Sequence, residues 1–215
     1  MRTKMFTVLA VLAAFVILTL SGCATYGGKG LIPDLKNPSL AVKEKLATKM
    51  GDRLTVTVYP VTNDKEVDKY FDEDLLSKGI LPVFVEIQND GEDVSLIAVT
   101  LNNGNNTIPA MTSGDIYGVI KRDWVARSTV WLFITYGVGG PVSALATHIT
   151  NNNIKEDLGV EGDGGKLLKF GKISKGGVSG FLCFRYSQGA QKQKGIIKLI
   201  FQKEGRLFEF DFDIS

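Results

Sequence analysis

The sequence predicts a mainly β fold in which two antiparallel sheets pack together, with an inserted α-helical hairpin and a short N-terminal helical region. Three observations predict it: runs in which apolar and polar residues alternate, turn residues at short intervals between those runs, and one central segment where the period changes. The 215 residues suit one core, and 44% hydrophobic with 22% charged residues is too apolar for a disordered chain.

Residues 1–22 read as an export signal. Arg2 and Lys4 form a positive start, Met5 to Leu20 are uncharged and apolar, and Leu20-Ser21-Gly22-Cys23 closes the segment. That tetrapeptide resembles the lipobox of bacterial lipoprotein precursors, which implies diacylglycerol on the Cys23 sulfur and cleavage before it. The alternative of a spanning anchor is disfavoured, because the run falls short of the ~20 residues that span a bilayer comfortably. Ala24 follows the cysteine where the resemblance places Asp for inner-membrane retention, so it implies the outer membrane, facing the periplasm, in a Gram-negative source. Removing Arg2 and Lys4 from the 25 basic residues leaves 23 against 23 acidic ones. A neutral mature chain argues against a nucleic-acid partner, which calls for a concentrated basic face.

Residues 23–38 are rich in Gly, Pro and polar side chains and read as a lipidated tether. The remainder, 39–215, is expected to be one β domain with a helical insert at 112–158. Ser39 to Met50 is expected as a short helix. Arg53 to Val61 alternates Leu54, Val56 and Val58 with polar neighbours, a half-buried strand. Asn63 to Gly79 carries an N-cap, Glu66 three residues on, an apolar stripe of Val67, Tyr70, Phe71 and Leu75, and a terminal glycine, which predicts a helix. Strands follow at Ile80 to Gln88 and Val94 to Leu101, separated by Asn89-Asp90-Gly91, with a second turn at Asn103-Gly104. Pro82 belongs near a strand start or on an edge.

The insert opens with a capping box, Thr112 and Asp115, followed by Ile116, Ile120 and Trp124 at one-turn spacing. Val130 to Thr147 is uncharged and broken by Gly137, Gly139, Gly140 and Pro141, which suits a folded-back hairpin with a second helix from Pro141. Leu167 to Ile173, Gly177 to Tyr186, Lys194 to Gln202 and Gly205 to Asp213 read as strands, the last two joined through Lys203 to Arg206. So many short strands suggest an immunoglobulin-like sandwich. The runs Tyr70 to Asn89 (YFDEDLLSKGILPVFVEIQN) and Lys175 to Phe184 (KGGVSGFLCF), with the Gly-rich insert, resemble a group of uncharacterised bacterial lipoproteins built on such a sandwich. The resemblance implies fold and location, and no catalytic residue.

The residues themselves assign no catalytic, cofactor-binding or metal site; the one site residue is Cys23, for lipid. His148 is the single histidine and reads as a surface or half-buried side chain. Asp72-Glu73-Asp74 lacks the spacing of a calcium loop, and Glu161 to Gly165 reads as a connector; Asn105 heads an N-glycosylation pattern without meaning in an exported bacterial protein. With Cys23 lipidated, Cys183 has no intramolecular partner and reads as a buried apolar residue. The expected role is that of a lipid-anchored, non-enzymatic interaction or structural module, held to the membrane by its N-terminal lipid and partnered by another envelope protein. The alternatives are a lipoprotein that inserts or self-assembles through 130–147, where Gly139/Ser143 and Gly140/Ala144 stand at small-residue spacing, and an envelope enzyme.

Overall fold

The computed structural model describes residues 30–33, 35, 46–104, 106–121, 139–160, 165–186 and 194–214, with backbone alone over 139–147. Cys23 and the leader, most of the tether, Asn105, Trp124, the start of the 130–147 segment and residues 161–164 lie outside the described residues. Two compact units divide the chain. One holds the described part of Lys121–Lys155, and the other comprises Gly28–Ile120 and Glu156–Ser215.

The larger unit is mainly β, with two antiparallel sheets. One sheet has the order β1 (Ala47–Gly51), β2 (Leu54–Pro60), β3 (Ile80–Asn89), β7 (Gly176–Arg185). The other runs β5 (Thr107–Pro109), β4 (Val94–Asn102), β8 (Gly195–Lys203), β9 (Arg206–Ile214), and β6 (Gly171–Ile173) pairs with the start of β4. The sheets share one apolar core. Val56, Val58, Val83, Val85 and Ile87 enter it from the first sheet, and Leu101, Leu199, Phe201, Phe210 and Phe212 from the second.

The first sheet is buried on its other face as well. Helix α1 (Asp64–Phe71) lays Val67, Tyr70 and Phe71 over it, where Phe181 of β7 meets the rings of Phe71 at 4.8 Å and Phe84 at 5.1 Å. A strand covered on both faces needs no alternation, which is why β3 and β7 read as continuous apolar runs while β9 alternates strictly. Asn63 caps α1 by accepting from the amides of Lys65 and Glu66.

That helix ends eight residues before Gly79, earlier than the sequence predicts. Asp72 adopts a left-handed conformation (φ 51°) and donates its amide to Asp68, and Asp74 then accepts from the Ser77 amide, so local side-chain bonds replace the helical ladder. Of the helix expected over 39–50, residues 39–45 lie outside the described residues and the end is corrected: Ala47 to Met50 are strand, paired from Ala47↔Val58 to Gly51↔Leu54, because a two-residue turn at Asp52 and Arg53 folds them onto β2. Of the predicted strand Leu167 to Ile173 only Gly171–Ile173 joins a ladder through β6; Leu167 makes a single parallel bridge to Phe181.

Helix α2 (Ser113–Ile120) starts at the predicted capping box, where Thr112 and Asp115 exchange side-chain and amide bonds. Helix α3 (Gly139–Leu158) begins two residues before Pro141 and runs past the middle of the insert to its end. Among the described residues no helix is long and apolar enough to cross a membrane.

Strand β7 ends its sheet, yet its outer side is occupied. Met111 donates its amide to the Cys183 carbonyl, and Phe181 accepts from the Leu168 amide and donates to the Lys166 carbonyl. The approach is so close that a Cβ on Gly180 would stand 2.6 Å from the Leu168 nitrogen. Gly180→Ala is therefore expected to cost about 1–3 kcal/mol. Phe201→Ala, which empties a fully buried site, should cost about 3–5 kcal/mol, both read from denaturant midpoints.

Candidate functional site

Three features of the larger unit offer chemistry or contact: a buried ion pair, a surface hollow, and an open strand edge. The ion pair is the most unusual. Lys166 and Asp157 lie 2.6 Å apart with 1% and 2% of their side chains exposed. Charges so buried need full hydrogen bonding to persist. Asp157, near the end of α3, accepts from Lys166 on Oδ2 and from the Gly30 amide on Oδ1 at 2.6 Å. Lys166 also donates to the Tyr70 carbonyl, and its ammonium stands 5.0 Å from the Phe71 ring centre. Its backbone continues the arrangement, since the Lys166 amide donates to the Asp157 carbonyl and its carbonyl accepts from Phe181.

The Lys166 ammonium is held below its usual range by burial, with Asp157 pulling the other way. Beside it Cys183 is fully buried, and burial pushes its thiol up to about 12. A thiol of that kind is not a nucleophile near neutrality. Tyr59 donates to Glu66 at 2.6 Å, and burial followed by that carboxylate raises its phenol. All these groups face the layer between α1 and the first sheet, so their chemistry is spent on holding the layer together.

The hollow lies where β5 gives way to α2. It encloses about 370 Å³ between Ile108, Pro109, Ala110, Met111, Asp115 and Arg185. Asp115 is committed to the Thr112 amide and hydroxyl, which lower its carboxyl below the ordinary range. Apart from Asp115 and Arg185 the lining is apolar, so the hollow offers contact more than reaction.

The third feature is β9. Its inner row, Phe208, Phe210, Phe212 and Ile214, closes the core, and its outer row is Leu207, Glu209, Asp211 and Asp213. On that outer face Lys198 lies 2.6 Å from Glu209 and 3.9 Å from Asp211, whereas Asp213 stands opposite Ile196. Among the described residues no strand pairs with the far side of β9.

Of the residues singled out in the sequence, Cys23 lies outside the described residues, and Cys183 is buried as expected. His148 is exposed on α3 within 3.2 Å of Asn152. In the acidic run, Glu73 pairs with Lys78 at 2.6 Å. The ion pair was missed because Asp157 and Lys166 flank the Gly-rich connector and look like two more solvated charges. No family model, no curated protein and no solved structure matches the chain.

If the pair is a lock, Asp157→Ala strands a buried ammonium and should cost about 3–5 kcal/mol, while Asp157→Leu with Lys166→Met restores most of that loss in urea titrations. The thiol gives a second check through pH. Between about 9 and 12 the folded chain keeps a proton that the unfolded chain releases, so stability falls as pH rises through this window. Lys166 acts in the opposite sense, because its folded value is lowered and the unfolded chain holds the extra proton up to its own value near 10.5. Comparing Cys183→Ala with the parent isolates the thiol, and the variant's slope should be less negative by about 1.4 kcal/mol per pH unit.

Proposed function

We propose that this chain is a lipid-anchored bacterial envelope lipoprotein, a non-enzymatic interaction or structural module held to the membrane by acyl chains on Cys23. The observation that carries this reading is the order of its first residues: two cations, an uncharged apolar run, and Leu20-Ser21-Gly22-Cys23 at its end. With Ala24 next, the destination in a Gram-negative source is the outer membrane, facing the periplasm. Two or three acyl chains anchor stably, at ~0.8 kcal/mol per buried methylene.

The proposed fold is an immunoglobulin-like sandwich. Such sandwiches place strands A-B-E-D in one sheet and C-F-G in the other, with C′ added beside C in the variable type. Assigning A, B, C, C′, E, F and G to β2, β3, β4, β5, β7, β8 and β9 gives the orders A-B-E and C′-C-F-G. Strand β1 then lies outside A, and Lys166–Leu168, along the outer side of β7, takes the place of D. This correspondence in strand order supports the assignment and the resemblance to sandwich lipoproteins. The interaction role is supported by where polar chemistry lies: ionisable groups inside are bonded to one another, and the hollow and the β9 edge face outward. The expected partner is another protein of the envelope.

The anchor is tested by growing cells with labelled fatty acid. The wild-type chain should take up label and fractionate with membranes, and Cys23→Ser should do neither. Persistent labelling of the variant sinks the proposal. Cross-linking in intact envelopes then separates the two modes of action: a reproducible protein partner supports the module, and recovery of self and lipid alone favours insertion through 130–147.

A further inference from the structure

The strand edges of the β unit are managed unequally. The outer side of β7 is sealed by Ala110–Met111 and Lys166–Leu168. Strand β1 spans only Ala47–Gly51, and its Lys49 places an ammonium 5.8 Å from the Phe212 ring centre, an inward charge of the kind that discourages pairing. Among the described residues, strand β9 has neither protection. It runs nine residues, Arg206–Ile214, pairs with β8 in unbroken register, and contains no proline.

Its turn fixes which backbone groups are left over. Glu204 (φ 49°) and Gly205 (φ 78°) form a type I′ loop, whose closing bond joins the Lys203 carbonyl to the Arg206 amide. Alternation then gives residues 206, 208, 210, 212 and 214 to β8 and leaves the amides and carbonyls of Leu207, Glu209, Asp211 and Asp213 aimed at the open side. The residues that offer backbone bonds are therefore those whose side chains form the acidic outer row. In an added strand the residues directly opposite them project from the same face.

A second copy of the chain makes a poor occupant. Antiparallel self-pairing centred on Phe210 sets Glu209 against Asp211 of the other copy, and centring on Asp211 sets Glu209 against Asp213 and Asp211 against itself. Carboxylates directly opposite one another are destabilising. Lys198 is the only cation that β8 sets among these three acids, so the row keeps a negative excess. The other face of an added strand would continue the row of Phe208, Phe210 and Phe212.

We infer that β9 is a docking edge for an extended segment of another protein in which Lys or Arg alternates with apolar residues, the cations opposite Glu209, Asp211 and Asp213 and the apolar residues extending the core face. This names the partner chemistry for the interaction module proposed above and rests on that reading. It does not depend on Cys23, so loss of fatty-acid labelling and failure of the edge are separate results.

The test uses the full chain in detergent micelles with fluorescent peptides. Acetyl-KVKVKVK-amide should bind at least about tenfold tighter than acetyl-EVEVEVE-amide and than the equally charged acetyl-KKKKVVV-amide, since specificity is a difference of affinities. Hydrogen exchange should slow at Leu207, Glu209, Asp211 and Asp213 on binding. Asp211→Pro removes an outward amide and no bond to β8, so it should abolish binding with the circular-dichroism spectrum unchanged. The triple variant Glu209→Lys, Asp211→Lys, Asp213→Lys should reverse the preference to the acidic peptide, a readout that depends on charge at this edge and not on folding alone. Equal binding of the block peptide, protection of a different segment, or no binding overturns the inference. Self-association abolished by Asp211→Pro also overturns it, in favour of a second copy.

Discussion

Asp157 holds three parts of the chain that have no other reason to meet. Its carboxylate takes the Gly30 amide from the N-terminal segment and the Lys166 ammonium from the strand-covering segment, and its own carbonyl takes the Lys166 amide. Because an ammonium inside an apolar layer is unstable without a counter-charge, Lys166 enters only in company with Asp157. Once it is in, its backbone and that of Leu168 lie along β7 and satisfy groups that a sheet edge otherwise leaves to water. The covering of β7, the docking of α1 through the Tyr70 carbonyl and Phe71, and the fixing of the chain at Gly30 thus share one electrostatic condition.

That condition explains why the unit has a closed side and an open one. With β7 sealed, strand addition to the first sheet is limited to the short, charge-guarded β1. The second sheet ends in β9, whose inner residues are committed to the core while its outward backbone is not. Natural sheets blunt such an edge with charge, and the three acids of β9 do so against copies of the same chain. The same acids become attractive to a strand of opposite sign. Protection against self and preference for a cationic partner are one property of that row.

The parts of the fold that were legible in the sequence are those decided by neighbours in the chain. The alternation of Phe208, Phe210 and Phe212 with acids, the Asn63 cap and the Thr112/Asp115 box are local physics, and the structure places each as the sequence implies. The errors fall where a distant partner decides. Ala47 to Met50 carry no strand signal of their own and become strand because β2 offers an edge. The stripe from Val67 to Leu75 suits a helix, yet Asp72 ends it and Leu75 is buried from a turn instead. The acids of β9 were visible, but their standing at a sheet edge depends on a strand order that no single run reveals. Residues 24–38 read as a tether, and within them Gly30 is bonded to Asp157, 127 residues away, and Pro33 is buried.

The attachment at Gly30 sharpens what a lipid on Cys23 would do. Seven residue-to-residue steps separate the two positions, and a fully extended chain of that length reaches at most about 25 Å. A lipid at Cys23 would then confine the β unit to a thin layer above the bilayer surface. Strand addition over Leu207 to Asp213 supplies few backbone bonds, and exposed ion pairs such as those of Glu209 add little, so an edge of this kind binds weakly in free solution. A partner held to the same surface meets it at an effective concentration set by the tether, which turns a weak contact into an occupied one without any new interaction. The proposed short anchor and a modest acidic edge therefore suit each other: the anchor would supply the encounter, and the edge the choice of partner.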